Sequence, residues 1–236
     1  MPQYTILFYL SILIVLSSCR SLPTGKETGG DELARKVMKA TGVSNWDTTG
    51  VVAFTFANRK HLWDKKRELV WIRWGDIEVM ESLKTKQGKV WKNGKLLSGK
   101  KQNKYLNKAW KAWINDSFWF YPFFKFFDEG TTRKVVKREG ETDALLISYS
   151  KGGVTPGDSY LWILDEEGLP VAWQLWVKII PVKGFRVSWE SWQELPVGIK
   201  VSTLHKSKLM SIRISDVRAA YSIKELFPEG DPFERM

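Results

Sequence analysis

The side chains of this 236-residue chain whose types and spacing could do chemistry are few: His61 and His205, the triplet Gly157-Asp158-Ser159, the acidic run Asp165-Glu166-Glu167, and one cysteine, Cys19. The histidines fall on different extended runs and neither has a partner four residues away, so a metal site has nothing to start from. Gly157-Asp158-Ser159 looks like a hydrolase nucleophile triplet, in which a base must take the serine proton. It enters a strand rather than a helix, no Asp-x-x-His follows it, and His205 would be the sole base. The acidic run leads into Gly168 and reads as a solvated turn rather than a cation site or an acid/base pair. There is no phosphate loop, dinucleotide fingerprint or paired-carboxylate pattern. With no second thiol, a disulfide framework or a cysteine metal site is excluded. The expectation is a non-enzyme without catalytic residues, metal or cofactor.

The chain is rich instead in aromatic surface. It contains 13 tryptophans, and within the stretch NDSFWFYPFFKFF (115–127) every position from 118 on is aromatic except Pro122 and Lys125. A membrane-spanning helix needs about 20 apolar residues, which this run, bounded by Asp116 and Asp128, does not provide. Leaving the rings in water would cost about 1.5 to 3 kcal/mol each, so they must be buried by the rest of the protein or kept for a ligand.

Ile6 to Leu16 is apolar apart from Ser11, too short to span a bilayer and of the length of a signal-peptide core. The following Leu16-Ser17-Ser18-Cys19 resembles the bacterial lipobox, in which the cysteine receives a diacylglycerol thioether and becomes the mature N-terminus; the preceding MPQYT lacks Lys and Arg. Residues 1–18 are therefore expected to be a lipoprotein signal peptide and Cys19 the lipidation site. Residues 19–30, rich in Gly, Thr and Pro, are expected to be a flexible tether, and 31–236 a single domain. The net charge of +11 belongs wholly to the mature part, since residues 1–19 carry no charged side chain. Behind an export signal such a surface suits anionic lipid headgroups rather than nucleic acid, at about 1 kcal/mol for each nearby Lys or Arg. A merely well-solvated basic surface is the plainer alternative.

The elements that must position these residues are legible from periodicity. DELARKVMKATG predicts a helix capped by Asp31 and stopped by Gly42, with a stripe of Leu33, Ala34, Val37 and Met38. From Val51 the period becomes two, and Asn93-Gly94 within KVWKNGKLL predicts a type I′ hairpin. Residues 102–115 predict a second helix, basic outside, with Tyr105, Leu106, Ala109, Trp110 and Trp113 inside; it serves either as core or as a membrane-surface helix. Six extended runs follow: 143–150, 159–164, 171–180, 185–194, 198–205 and 209–218. Val171, Trp173, Leu175, Val177 and Ile179 share one face, whereas Trp176 and Trp192 fall among polar residues on the other. The pattern predicts an antiparallel sheet covered on one side only, with the two helices as the cover.

These stretches resemble the LolA/LolB-type periplasmic lipoprotein carriers, above all LolA-like lipoproteins of unassigned function. The resemblance runs over residues 31–218 and is carried by Asn115 to Trp119 with Pro122, Phe123, Lys125, Asp128 and Gly130, by Gly157-Asp158 leading to Tyr160, and by Leu164 to Pro170 with Trp173, Trp189 and Trp192. It implies a mainly antiparallel β fold: a half-open barrel of about ten or more strands with helices over an apolar concave face. The aromatic stretch would then leave the lid helix as an extended segment closing one rim of the cavity. A plainly filled core is the alternative.

The resulting expectation is a membrane-anchored lipoprotein that binds a lipid, an acyl chain such as palmitate or another hydrophobic ligand, in envelope lipid or lipoprotein trafficking. The expected ligand-binding residues are Trp110, Trp113, Trp119, Phe120, Trp173 and Trp189. Partners are that ligand, the membrane through lipidated Cys19, and an anionic lipid surface, with no nucleic acid. Arg20 directly after the cysteine, where inner-membrane sorting would use aspartate, implies the outer membrane, facing the periplasm. The alternative is a non-catalytic scaffold lipoprotein that docks a protein or an anionic envelope polymer through a basic, Trp-rich face.

Overall fold

The computed structural model describes residues 21–152 and 156–236. The expected signal peptide and Cys19 lie outside them. In chain order the elements are α1 (Gly30–Ala40), β1 (Val51–Phe56), β2 (Arg59–Asp64), β3 (Leu69–Trp74), β4 (Ile77–Ser82), β5 (Gly88–Lys92), β6 (Lys95–Leu96) and α2 (Gly99–Phe120). They continue with β7 (Thr131–Val136), β8 (Ala144–Tyr149), β9 (Asp158–Leu164), β10 (Pro170–Trp176), β11 (Phe185–Ser188), β12 (Glu190–Glu194), β13 (Lys200–Lys206), β14 (Ser211–Ala220) and α3 (Ile223–Leu226). A nine-stranded sheet in the order β12-β13-β14-β1-β2-β3-β4-β5-β6 faces a five-stranded sheet in the order β11-β10-β9-β8-β7, and neither closes on itself. Neighbouring strands are antiparallel throughout. The fold is thus mainly antiparallel β, half open, with helices against the sheets.

The main core forms between the sheets. Val52, Phe54 and Phe56 of β1 and Val70 and Ile72 of β2's neighbour β3 point inward, as their period-two spacing requires, and meet Leu106, Ala109 and Phe120 of α2 and Trp162 and Trp173 of the smaller sheet. Contrary to the expectation of one covered face, both sheets also carry apolar groups outside. Val51, Ala53, Leu62, Met80 and Ala220 are roofed by Phe233 and the α3 segment, and Ala144, Leu146, Leu161, Ile163 and Ala172 form a further cluster with Trp176 against it.

Three local differences have physical reasons. The 185–194 run is two strands: β11 belongs to the smaller sheet, β12 to the larger, and Trp189 lies buried at the crossover with its backbone N–H donating to Val171 O at 2.8 Å. The alternation changes phase where the chain leaves one sheet for the other at Trp189; Ser191 takes φ +53° within an unshifted β12–β13 register. Trp192 accordingly turns inward, packs on Trp189 and Phe123, and donates its indole N–H to Pro170 O at 3.1 Å. The expected tether is ordered in its last residues: Lys26 pairs with Val135 of β7 through bonds of 2.9 and 2.7 Å, and a Cβ on Gly30 would stand 2.3 Å from Arg133 O. Finally, Asp31 does not cap α1. The helix begins at Gly30, and Asp31, in its first turn, accepts a 2.6 Å bond from Arg133 of β7.

Candidate functional site

The second helix is longer than expected. Its 22 residues, about 33 Å at 1.5 Å each, carry the Asn115-Asp116-Ser117 triplet in the helix interior. The aromatic stretch is therefore helical through Phe120 rather than extended. It ends where Pro122 forces the preceding residue out of helical geometry, with Tyr121 at φ −155° and ψ 80°. A single 3₁₀ turn, Phe123–Lys125, follows.

Helical spacing sends successive rings to different walls. Phe120 stacks on Phe54 of the larger sheet at 4.3 Å, and Phe118 meets Tyr160, Trp173 and Tyr149 of the smaller one at 5.0 to 6.0 Å. Trp119 bridges between Phe56, Trp173 and His205. Beyond the proline, Tyr121 stacks on Trp46 at 4.7 Å and donates its hydroxyl to Thr41 O at 2.9 Å, while Phe123 enters the Trp162, Trp189 and Trp192 cluster. This stretch is the interlayer of the fold.

Asp116 fixes that helix to the larger sheet. Its carboxylate, buried completely, accepts from Arg59 Nε at 2.5 Å and Nη2 at 2.7 Å, from His61 Nε2 at 2.8 Å, and from Asn115 Nδ2 at 2.9 Å. Burial alone would raise its pKa, but the hydrogen bonds from His61 and Arg59 outweigh it and hold the carboxyl below its usual range. His61 is pushed down by burial, against the pull of Asp116, and its ring stacks on Phe54 at 4.7 Å. The neutral ring then donates from Nε2, and Nδ1 has no hydrogen-bond partner among the described residues.

Between the last third of α2 and the smaller sheet lies a cavity of about 540 Å³. Its walls include Trp113, Phe118 and Trp119 from the helix, Tyr160, Trp173 and Leu175 from β9 and β10, and Val177 and Ile180 beyond β10. The polar groups at its mouth are spoken for: Lys125 pairs with Asp128, Lys151 pairs with Glu129, and Asp158 accepts the Lys178 backbone N–H at 3.0 Å. Deeper in, the Tyr149 hydroxyl and the indole N–H groups of Trp113 and Trp173 are buried without a hydrogen-bond partner among the described residues. Burial raises the Tyr149 phenol well above its ordinary value, and that of Tyr160 as well, so both stay protonated donors.

Of the residues expected at such a site, Trp113, Trp119 and Trp173 line this cavity. Trp110 sits elsewhere, half-buried beside Trp113 with Lys86 Nζ 4.4 Å above its ring. Phe120 and Trp189 are core rings, the first against Phe54 and the second against Trp162, Trp173 and His205. Phe118, Tyr149, Tyr160 and Leu175 were not singled out, though Phe118 belongs to the aromatic stretch and Leu175 to the apolar face of β10. The hydrolase elements do not converge: Ser159 Oγ is bonded to Ser148 Oγ at 2.7 Å, whereas His205 Nδ1 lies 3.2 Å from Ser188 O. Among the described residues no group of three or more His, Cys, Asp or Glu could hold a metal ion, and no helix is long and apolar enough to cross a membrane.

No family model and no curated protein matches the chain. Among solved structures, a DUF1329 family protein from Desulfovibrio piger is similar at 13% identity and a TM-score of 0.39, over 83% of this chain and 93% of that one.

Proposed function

We propose that the protein is a membrane-anchored lipoprotein that holds a hydrophobic ligand, an acyl chain or a comparable lipid, in the cavity under α2, without catalysis. The observation that supports this most is the cavity's composition: about 540 Å³ walled by aromatic and aliphatic side chains, within the roughly 300 to 1,000 Å³ typical of small-molecule sites. A half-open antiparallel sheet with a helix across it is also what the resemblance to LolA/LolB-type carriers implies, which extends the reading to lipid or lipoprotein trafficking in the bacterial envelope. Anchoring through Cys19, and the outer membrane as location, belong to the same proposal.

Two measurements test it on the full chain. Native mass spectrometry and solvent extraction of the purified protein are expected to show a co-purifying lipid, and a fluorescent fatty acid is expected to be displaced by unlabelled palmitate. Ile180→Asp, at the cavity wall and half-exposed, is expected to weaken that binding about tenfold, since it places an unpaired carboxylate against the ligand. No lipid and no saturable binding would defeat the proposal.

A further inference from the structure

The strand registers place one set of turns on a common edge. Phe56 of β1 pairs with Ile214 of β14, Lys60 of β2 with Arg73 of β3, and Ile77 of β4 with Lys92 of β5. The turns at 57–58, 75–76, 93–94 and 207–210 therefore all leave the nine-stranded sheet at the same end. The β10–β11 loop joins them. β13 runs antiparallel to the β11–β12 strand and finishes beside it, with Lys206 N donating to Ser188 Oγ at 2.9 Å. Following β11 back from Ser188 to Phe185 leads past the 207–210 turn into residues 177–184. Val177, Ile179 and Ile180 of that loop line the cavity, so its wall reaches this end too.

Two properties of the edge are unusual. The first is exposed apolar tips: Leu209 is 81% exposed and Ile179 71%, with Val182 and Met210 beside them at 40% and 39%. Both tips are framed by cations, in Lys178-Ile179-Ile180-Pro181-Val182-Lys183 and in Lys206-Ser207-Lys208-Leu209-Met210, and neither segment holds an acid. The second is a like-charge pair set directly opposite across two strands, Lys60 against Arg73. Such cross-strand pairs are destabilising unless an anion lies over them. Of the nearby acids, Asp76 and Glu190 pair with Lys92 and Lys206, Glu78, across from Arg73 on β4, is held by Arg235, and Asp216 accepts from Thr55, the residue opposite Lys60.

We propose that this end of the molecule docks onto an anionic lipid bilayer, with Leu209 and Ile179 entering the interface and Lys60, Arg73, Lys95, Lys208 and Arg213 lying over the headgroups. A bilayer accounts for both properties at once: a polymer or nucleic acid would neutralise the cations but give the two aliphatic tips nothing to enter. The surface stands independently of the cavity. A chain that binds vesicles yet carries no lipid leaves it intact and defeats the ligand proposal alone.

The test is flotation of the full chain with phosphatidylglycerol-containing vesicles and with pure phosphatidylcholine vesicles. Stronger binding to the former is expected, declining as salt rises from about 0.05 to 0.3 M. Lys60→Gln and Arg73→Gln should each weaken it about fivefold, the equivalent of about 1 kcal/mol per surface cation. Leu209→Asp with Ile179→Asp should weaken it about tenfold or more. Because the N-terminal apolar stretch can itself hold the chain on a vesicle, position is read separately, in a Cys19→Ser background. A fluorophore at Lys208→Cys should be quenched by brominated lipid, and one at Glu229→Cys, beyond α3, should not. Equal quenching at both sites, or none at Lys208→Cys on bound protein, overturns the proposal. So does binding that depends on the cations but is indifferent to Leu209 and Ile179, which would indicate an anionic polymer.

Discussion

Removing the Asp116 carboxylate is the sharpest perturbation of the fold, because one buried group joins the lid helix to β2. Its oxygens accept four hydrogen bonds, two from Arg59, one from His61 and one from Asn115. Asp116→Ala strands the His61 side chain, 1% exposed, without its partner, and leaves a guanidinium whose side chain is 28% exposed. Breaking one side of a buried pair costs about 3 to 5 kcal/mol. Arg59 can turn partly to water, so the lower part of that range is expected, about 3 kcal/mol, with Asp116→Asn smaller because its carbonyl oxygen still accepts from His61. Arg59→Met alone should cost less than Asp116→Ala, since an ionised Asp116 keeps His61 and Asn115. The double variant should show a coupling of at least about 1 kcal/mol, as contacting partners do. The assay is urea unfolding followed by tryptophan emission, comparing midpoints at constant slope. A loss under about 1 kcal/mol for Asp116→Ala, or strictly additive effects with Arg59→Met, would refute the view that this pair holds α2 on the sheet.

Two further outcomes follow from burial and ionisation. His205 is fully buried and its pKa is pushed down to about 4, chiefly by burial; its folded value lies below its unfolded one near 6.5, so it favours the fold above pH 6.5 and that contribution fades toward pH 4, by about 3 kcal/mol in all. Glu81 has the opposite sign: burial raises it to about 7, so its contribution is present below its unfolded value near 4.5 and is lost as pH rises through 7, again about 3 kcal/mol. Between about pH 4.5 and 6.5 the two slopes oppose each other, and Glu81→Gln should unmask the rise due to the buried histidines, His205 and also His61, which burial likewise holds down, in pH-dependent chemical unfolding. An unchanged pH profile in that variant would contradict this. Among the tryptophans, Trp173→Ala at 0% exposure should cost about 3 to 5 kcal/mol. Trp110→Ala, half-buried under Lys86, should cost about 1 kcal/mol or less in the same assay.

What the sequence disclosed was the part governed by local rules. Asn93 and Gly94 take φ of 49° and 73°, the positive values their hairpin demands, and Gly42 stops α1 region helicity at φ 78° with no room for a Cβ beside Gly198 O. What it concealed depended on partners far along the chain. Asn115-Asp116-Ser117 has the composition of a helix end, yet the helix continues because Arg59 and His61, more than fifty residues earlier, satisfy Asp116. β7, reading TTRKVV, has no clear alternation and exists because β8 pairs on one side and Lys26 on the other. Strict alternation misplaced Trp192 because the chain changes sheets at Trp189, between β11 and β12. The candidate cavity shows the same division. Aromatic richness marked Trp113, Trp119 and Trp173, but only the helical path of residues 115–120 decides that Phe118 faces the cavity and Phe120 does not.

The distribution of imperfect interactions argues that the two ends of the molecule have different roles. At the end bearing α3, charges are matched: Arg67 bridges Asp64 and Asp231, Ser222 caps α3 through the Glu225 N–H, and Lys65 reaches Trp46 O and Thr49 O. Glu81 and Trp113 are exceptions there, with one carboxylate oxygen and one indole N–H unpaired among the described residues. At the opposite end lie the unpaired Tyr149 hydroxyl, the facing Lys60 and Arg73, and the exposed Leu209 and Ile179. Each unmade buried hydrogen bond costs about 1 to 3 kcal/mol, so a chain that settles its polar groups well at one end has the means to do so at the other. Departures from local consistency concentrate where a partner supplies what the fold withholds. The 177–184 loop that walls the cavity lies on the same basic, apolar-tipped edge, so the proposed ligand site and the proposed membrane-docking surface would adjoin each other.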